Sequence, residues 1–509
     1  SNVELMPAAA TSAARFRPGD LGAGVKMTGR NSRNGFHALL VSTSVLGLAA
    51  GAPLLAGSAL AQGIEVSDTT VPGVLNPFGA STDYILISNS TVTTDGVVNA
   101  GDIGDVSPNA TGILVTDGSS VNGGITNSGA LRAIQSGIVI EFTDVPDGIV
   151  NGGAIQVGSQ VAGGDVTEAY GIVNFGTSID ANISNSGLVE VMASDSAEGG
   201  TASAEALGVD IRAFTDLDAT IDNSGSFSVS ATADDARESH AEAIGILVEL
   251  SPSEAPPPAN AVSSITNSSS STIDVSAIAE ASASGSDSAE ANAEGIGIAQ
   301  LSESAQATNF SASNSGSLLV DIQAMARTDS ASAEAVATGT GLRQSADGLG
   351  NANTSLTATT SGLLQVDASA TATAASGFGD LSASAKAAGI NQDARLAGDM
   401  TASASNSGDI SVSASATANA PDHETVATAE ALGIRQDASG GESVGQVADV
   451  SVTQSGNIDV TAVVNHSGRA NGAARATAQG AAQITEGVGS ATASVVNGGD
   501  IAATASVDG

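Results

Sequence analysis

Small apolar residues alternate with hydroxyl-bearing and amide residues along most of this chain. From Ile410 to Ala420, every second residue is apolar, and Ser, Thr or Asn fills the positions between. The same alternation follows Asn314 and Thr360. A strand turns alternate residues to one face, whereas a helix would spread such a pattern around its whole circumference. The pattern predicts β-strands whose buried face is lined largely by alanine.

The alternating segments belong to an internal repeat that has two recurring corners. The first corner is Asn-Ser-Gly or a close variant, and the interval between corners grows from 24 residues (127 to 151) to 48 residues (406 to 454). These corners begin at Asn99, Asn127, Asn151, Asn185, Asn223, Asn267, Asn314, Thr360, Asn406, Gln454 and Asn497. The second corner is a Gly followed by an aliphatic residue. Fixed corners joined by sides of variable length are typical of a solenoid.

Each corner has a predicted structural role. Asn and Gly both tolerate positive φ, and stacked Asn side chains can hydrogen-bond from coil to coil, so we expect turns at the first corner. The predicted turn residues are Asn127, Gly129, Asn185, Gly187, Asn223, Gly225, Asn314, Gly316, Asn406 and Gly408. At the second corner, the inward-facing positions change from one set of alternate residues to the other. This change predicts bulges at Gly295, Gly341, Gly389 and Gly433. The sequence therefore predicts an all-β parallel β-solenoid, in its right-handed β-helix form, and leaves open whether a long repeat makes one coil or two.

Composition and charge narrow the class of protein. The chain has 509 residues, 61 Gly, no Cys, no Trp and 2% aromatic residues, too few large side chains for an ordinary globular core. It is nevertheless 41% hydrophobic, which is too apolar for a solvated acidic tail. The formal net charge of −39 excludes nucleic acid as an expected partner and predicts cations around the acidic surface.

The amino-terminal region has the features of a secretory signal peptide at residues 27–61. Arg30 and Arg33 precede an apolar stretch that ends at Ala59-Leu60-Ala61. We therefore expect export, with a disordered or helical leader preceded by an upstream segment at residues 1–26. The remainder divides into an N-terminal cap at 62–98, a short-repeat solenoid at 99–184 and an Ala/Ser-rich long-repeat solenoid at 185–509, which is expected to continue past its last residue.

The repeats resemble a known family. Segments 123–131 (Gly-Gly-Ile-Thr-Asn-Ser-Gly-Ala-Leu) and 405–410 (Ser-Asn-Ser-Gly-Asp-Ile), together with the Ala-Leu-Ala leader, are similar to the β-helical passenger regions of bacterial autotransporters and related surface proteins. The resemblance covers about residues 90–509. It implies export, display at the cell surface or outer membrane or release outside the cell, and an adhesive or surface-layer role. It also implies a membrane barrel encoded downstream, and it names no host or surface ligand.

Candidate chemistry is sparse. Residues 441–445 match the Gly-x-Ser-x-Gly nucleophile elbow, but the surrounding pattern lacks the strand–turn–helix that this motif requires, so we assign no catalytic residue and no cofactor. The acid pairs Asp216 with Asp218 and Asp234 with Asp235 are candidate oxygen ligands for Ca²⁺. A solvated acidic face is the alternative interpretation of these carboxylates.

The sequence favours an exported, non-enzymatic β-solenoid that acts as a surface stalk or adhesin passenger. One alternative is a secreted filament or matrix protein without a membrane barrel. A second is a β-helix enzyme that acts on polysaccharides. The enzyme would need a groove where acidic residues cluster with Arg212, Arg343 or Arg435, so their dispersal over separate faces would exclude it.

Overall fold

The alternating segments form parallel strands that stack in register from one repeat to the next. In the computed structural model, Thr360 pairs with Asn406, and Asn406 pairs with Gln454 in the following repeat. Successive corners therefore lie directly above one another, and each repeat makes one coil. The prediction of a parallel β-solenoid is confirmed. The structure describes residues 63–104, 111–143, 145–197, 199–251, 260–375, 379–395, 398–420, 424–440, 447–467 and 473–508.

Twelve coils are described, and each has three arms that follow one another along the chain. The third arms form a sheet of 12 strands, and the first and second arms together form a sheet of 21 strands. With a strand spacing of about 4.8 Å, twelve coils span roughly 53 Å along the axis. The coils occupy residues 64–82, 85–104, 111–133, 136–158, 168–196, 201–236, 238–283, 289–328, 333–374, 381–419, 425–467 and 473–508.

In most coils the first and second arms are separate strands. The separate first arms are β1 (Ile64–Ser67), β4 (Ile85–Ser88), β7 (Thr111–Thr116), β11 (Ser136–Glu141), β18 (Glu238–Leu250), β25 (Leu381–Arg395), β28 (Thr425–Ser439) and β31 (Ala473–Glu486). The separate second arms are β2 (Thr70–Asn76), β5 (Thr91–Asn99), β8 (Ser120–Val121), β9 (Ile125–Asn127), β12 (Ile149–Asn151), β19 (Asn260–Asn267), β26 (Met400–Asn406), β29 (Val447–Gln454) and β32 (Ser490–Asn497).

In four coils the first and second arms form one continuous strand. These strands are β14 (Glu168–Asn185), β16 (Thr201–Asn223), β21 (Ala289–Asn314) and β23 (Ala333–Thr360). The third arms are β3 (Ser81–Thr82), β6 (Asp102–Gly104), β10 (Ala130–Ala133), β13 (Ala154–Gly158), β15 (Leu188–Ser196), β17 (Ser226–Ala236), β20 (Thr272–Ala283), β22 (Ser317–Thr328), β24 (Leu363–Ala374), β27 (Asp409–Asn419), β30 (Asn457–Ser467) and β33 (Asp500–Asp508). A four-residue helix, α1 (Ser159–Ala162), follows β13.

The interior has a large-aliphatic part and an alanine part. In coil 10, the third arm begins with buried Ile410 and Val412 and continues with alanines at alternate positions. The first arm of the same coil also buries alanines before its bend, and β25 packs against β27. The short third arms of coils 3 and 4 lack this alanine extension. Longer repeats therefore lengthen the coil by adding alanine facing alanine, as the alternation predicts.

A ladder of buried asparagines runs through the first eight coils. Each amide Nδ2 donates to the Oδ1 of the next coil, at 2.7 to 2.8 Å, in seven consecutive hydrogen bonds. Its members are Asn76, Asn99, Asn127, Asn151, Asn185, Asn223, Asn267 and Asn314. Each such bond contributes on the order of 1 kcal/mol, and an unpaired member would cost more. Asn76 lies outside an Asn-Ser-Gly context, so its place in the ladder was not predicted.

The glycines of the same turns serve close packing. Gly129, Gly187, Gly225, Gly316 and Gly408 do not adopt positive φ. A Cβ at Gly408 would instead collide with the carbonyl oxygen of Gly362 in the preceding coil. The physical reason for glycine at this corner is therefore the stacking distance between coils, which differs from the conformational reason that we expected.

The asparagine column changes character after Asn314. Asn314 Nδ2 lies 3.4 Å from Thr360 Oγ1, and the amide-to-amide chain ends there. Asn406 lies in the same column, and Gln454 follows it. Both side-chain amide atoms of Gln454 are buried without a hydrogen-bond partner. Such unpaired buried groups are costly, which marks this stretch as the weak part of the column.

A second amide ladder, formed by glutamines, begins in coil 8, where the asparagine ladder ends. Gln344 donates to Gln300, Gln392 to Gln344, Gln436 to Gln392 and Gln483 to Gln436, at 2.7 to 2.8 Å. The same amides reach across the interior to second-arm carbonyls, for example from Gln392 Nε2 to Ser403 O at 3.1 Å. This glutamine ladder therefore ties the first arm to the second arm within coils 8 to 12.

The predicted leader at 27–61 and the upstream segment at 1–26 lie outside the described residues, as do residues 441–445. The described part of the predicted cap at 62–98 contains the strands β1 to β4 and most of β5, which belong to coils 1 and 2. Within the described ranges, no helix is long and apolar enough to cross a bilayer.

Candidate functional site

The first arm bends inward at a column of glycines. In coil 10, alternate residues up to Gly389 are buried, and the buried parity then switches to Ile390 and Gln392. A Cβ at Gly389 would lie 2.5 Å from Gly433 O and 2.9 Å from Ile410 Cγ2 on the third arm. Glycine therefore lets the first arm press against the third arm, which makes the outer surface concave at this point.

The predicted bulge positions lie in or beside this column of glycines. Gly341, Gly389 and Gly433 are members of it, and neighbouring strands stay in register on both sides of each glycine. Neither strand gains a residue over its partner, as a β-bulge would require, so the feature is a bend that these coils share. In coil 8 the bend glycine is Gly297, and Gly295 lies two residues earlier, where it stacks on Gly339.

The bend creates an outer trough along coils 6 to 11. Its floor consists of the outward residues that flank the glycines: Leu207, Ile244, Ile296, Thr340, Ala388 and Leu432 on one side, and Asp210, Leu247, Ala299, Arg343, Asn391 and Arg435 on the other. Its walls are Glu205, Glu242, Glu294, Thr338, Lys386 and Glu430, and opposite them Arg212, Glu249, Leu301, Ser345, Asp393 and Asp437. We refer to this surface as the outer trough.

The floor is apolar in coils 6 to 8 apart from Asp210. Leu207, Ile244, Leu247, Ile296 and Ala299 form a hydrophobic cluster that is separate from the main core, and each is at most 5% exposed. Side chains that point away from the core become buried here because the two limbs of the bent arm shield one another. The concavity of the trough is thus visible in the burial of its floor.

A column of glutamates lines one wall beside this apolar floor. Glu168, Glu205, Glu242 and Glu294 stack in register through four consecutive coils. Burial, and then the neighbouring Glu294 and Glu205, raise the pKa of Glu242 to about 7. Burial also raises the pKa of Glu205, whose carboxylate lies 3.4 Å from the hydroxyl of Tyr170. Like charges stacked beside an apolar floor favour the protonated form.

The opposite wall carries an ion-pair group. Arg212 Nε lies 2.8 Å from Asp210 Oδ1 and 3.8 Å from Glu249 Oε2. Burial raises the pKa of Asp210 and of Glu249, and Arg212 offsets part of each rise. The two carboxylates hold the pKa of Arg212 above its ordinary value despite burial. The guanidinium is therefore a permanent cation in the trough.

In coils 9 to 11, one side of the floor becomes polar, while Ala388 and Leu432 remain on the other side. Arg343, Asn391 and Arg435 stack in one column. Arg435 pairs with Asp437 at 3.5 Å, and Arg395 pairs with Asp393 at 2.5 Å. Within the described residues, the side chains of Arg343, Asn391 and Lys386 make no hydrogen bond or ion pair.

The scarce cations are concentrated on this arm. Of the nine Lys and Arg residues in the described ranges, six lie on the outer face of the first arm, and Arg132, Arg237 and Arg327 lie elsewhere. The six are Arg212, Arg343, Lys386, Arg395, Arg435 and Arg475. The three arginines singled out from the sequence therefore share one face with acidic residues, and the dispersal that would have excluded the enzyme hypothesis is not seen.

The candidate Ca²⁺ ligands fall in two separate places. Asp216 and Asp218 lie where the first arm of coil 6 passes into the second, and Asp216 Oδ1 accepts a hydrogen bond from Asn260 N at 3.2 Å. Asp234 and Asp235 lie at the end of the third arm, where burial and then Asp235 raise the pKa of Asp234. Within the described residues, no three His, Cys, Asp or Glu side chains come together as a metal site.

Two features of the trough were not predicted although each has a signal in the sequence. The glutamate column follows the pattern Glu-x-x-Gly, with Glu three residues before the bend glycine. The glutamine ladder follows Gly-x-x-Gln, with Gln three residues after it. Both patterns emerge once the glycines, and not the Asn-Ser-Gly corners, are used to align the repeats.

The fold and the outer trough define this chain as an acidic parallel β-solenoid whose first arm is bent. No protein-family model, curated protein or solved structure matches the chain.

Proposed function

We propose that this chain is the exported β-solenoid part of a surface protein and acts as a non-enzymatic stalk or adhesin passenger. The observation that carries the proposal is the parallel stacking of twelve coils, whose corner residues pair from repeat to repeat and which are held by two amide ladders that overlap in coil 8. Such stacking gives an extended, regular body whose outer faces are free to contact other molecules. The leader at 27–61 and the autotransporter-like repeats support export.

Fractionation of cells that express the full-length product tests this proposal. We expect the solenoid in the outer-membrane or extracellular fraction, where protease added to intact cells cleaves it. A periplasmic marker protein serves as the control for intact envelopes. Recovery of the intact product only from the cytoplasm would contradict the proposal.

A secreted filament or matrix protein without a membrane barrel is the main alternative. Recovery in the outer-membrane fraction would favour the surface stalk, because a filament would leave the cell without remaining in that fraction. Sequence downstream of this chain gives an independent test: a series of amphipathic strands of about ten residues would indicate a membrane barrel.

A polysaccharide-acting enzyme is a second candidate function. The observation that favours it is the presence of Arg212, Arg343 and Arg435 on one concave face together with carboxylates. Release of reducing ends from a panel of polysaccharides would support this function. If the polysaccharides are unchanged after prolonged incubation, the role of this face would be binding without catalysis.

A further inference from the structure

We propose that coils 9 to 11 of the outer trough bind an uncharged, extended oligosaccharide that lies along the solenoid axis. The proposal rests on the adhesin role given above and supplies its ligand class. It starts from three polar side chains, Arg343, Lys386 and Asn391, that point into or border the trough and have no partner among the described residues. Arg343 is partly buried, and no carboxylate of the described residues forms an ion pair with its guanidinium.

The charges around these side chains favour an uncharged ligand. The donors Arg343, Asn391 and Arg435 lie on the same side of the trough as the acceptors Asp393 and Asp437, which follow Asn391 and Arg435 by two residues. Sugar hydroxyls both donate and accept hydrogen bonds, so they can use both sets together. An anionic polymer would be repelled by the net charge of −39, and a cationic segment would find carboxylates on every face without needing these cations.

The geometry favours a linear ligand. Arg343, Asn391 and Arg435 repeat at about 4.8 Å, so the column spans roughly 10 Å along the axis. A straight trough accepts an extended sugar chain better than a branched or coiled one. The short side chains Ala388 and Ser345 leave room beside the column for such a chain.

The glutamine ladder lies directly beneath this column. Gln344, Gln392 and Gln436 follow Arg343, Asn391 and Arg435 in the chain, and their side chains point inward where the others point outward. Their amide hydrogen bonds of 2.7 Å fix the backbone of all three coils. A fixed backbone reduces the ordering cost of binding and so preorganises the donors.

Isothermal titration calorimetry of the purified full chain with cellohexaose and chitohexaose, two uncharged extended hexamers, tests the proposal. We expect at least one of them to bind, and Arg343→Ala to weaken that binding about tenfold, as the loss of a charge-assisted hydrogen bond would. Asn391→Asp, which adds a charge and retains the shape, should also weaken it. Arg327→Ala on the third arm is the matched control and should leave binding unchanged.

Circular dichroism and thermal unfolding of each variant show whether the solenoid is intact, which we expect because both trough substitutions face outward. Binding of neither hexamer, binding unaffected by Arg343→Ala, or tighter binding of oligogalacturonate than of both neutral hexamers would overturn the proposal. Because the measurement uses purified chain, it can fail while fractionation still supports surface display, and the reverse also holds.

Discussion

The early and late coils use different side chains at the same inward position. Three residues after the bend glycine, coils 3, 4, 6 and 7 place Val115, Ile140, Ile211 and Val248 and coil 5 places Asn174, whereas coils 8 to 12 place glutamine. The asparagine ladder runs from coil 1 to coil 8, and the glutamine ladder runs from coil 8 to coil 12. Every described coil therefore contains a member of at least one amide ladder.

The change from the asparagine ladder to the glutamine ladder has a physical explanation. The later coils widen their interior with alanine, which buries less apolar area per residue than Ile or Val. They also lose the asparagine ladder at Thr360 and Gln454. A buried ladder of hydrogen bonds supplies both stability and register, and it penalises any slip by leaving amides unpaired. Alanine-rich coils therefore depend more on polar ladders than aliphatic coils do.

The largest expected effect comes from substitution of the bend glycines, which the early and late coils share. Gly137→Ala and Gly389→Ala should each destabilise the fold by about 1 to 3 kcal/mol, because the added Cβ would meet backbone of the next coil. Thermal unfolding measures the change. The control is Gly104→Ala, where a Cβ meets nothing within 4 Å. A large difference between the two test variants would show that the bend is not equivalent in early and late coils.

Breaking the glutamine ladder should affect the late coils selectively. Gln392→Leu removes bonds to Gln344 and Ser403 and should cost about 1 to 3 kcal/mol. Hydrogen exchange should accelerate in coils 9 to 11 and remain slow in coils 3 to 5. Gln323→Leu, on the exposed face of the third arm, is the control. Uniform acceleration along the chain would contradict a regional role for the ladder.

Repairing the asparagine column should make the late coils resemble the early ones. Thr360→Asn and Gln454→Asn each offer an amide of the length used in coils 1 to 8 and should stabilise by about 0.5 to 1.5 kcal/mol. Thr359→Asn, on the outward face beside the column, should have little effect. An unchanged midpoint of unfolding for both repaired variants would indicate that the backbone at these turns cannot accommodate the ladder.

The smallest expected effect is a pH dependence at the glutamate column of coils 5 to 8. Glu242 faces Glu205, Glu294, Arg212 and His240, and its pKa rises from 4.5 to about 7 in the folded chain. The folded state thus binds a proton that the unfolded chain has already released, so stability falls as pH rises from 4.5 through 7. Glu242→Gln should flatten this slope, by about 1 kcal/mol or less at this partly exposed site.

Unfolding midpoints measured from pH 4.5 to 8 check this expectation. Glu334→Gln, an exposed position on the same arm, is the matched control and should retain the slope of the parent chain. A parent chain that becomes more stable as pH rises over this range would show that Glu242 does not retain its proton in the folded state.

The strands and their stacking were predictable because period-two alternation and fixed corners act locally. The segment from Ile410 to Ala420 indicates a strand without knowledge of any neighbour, and the corners at Asn127 and Asn223 lie in register as their spacing implies. Asn76 was missed because its corner lacks the Ser-Gly that identifies the others. One coil per repeat could be decided only from the pairing of strands.

The trough was not predictable for a different reason. A glycine such as Gly389 permits a bend, but its direction depends on contact with Ile410 on another arm. Glutamine is ordinarily a surface residue, so Gln392 resembles part of the outward polar face until the parity switch is located. The outward Leu207 and Ile244 likewise resemble core residues, and only the concave shape explains their burial outside it.

The direction of the backbone hydrogen bonds has a mechanical consequence. These bonds run along the solenoid axis. A pulling force applied between the two ends should therefore break the hydrogen bonds of one inter-coil interface before those of the next. A coil of 46 residues would extend to roughly 150 Å once released, against the roughly 5 Å it occupied when stacked. In a force–extension measurement, the extension should therefore increase in steps of that size. A chain pulled at its ends would unfold one coil at a time, whereas a globular domain would unfold in a single step.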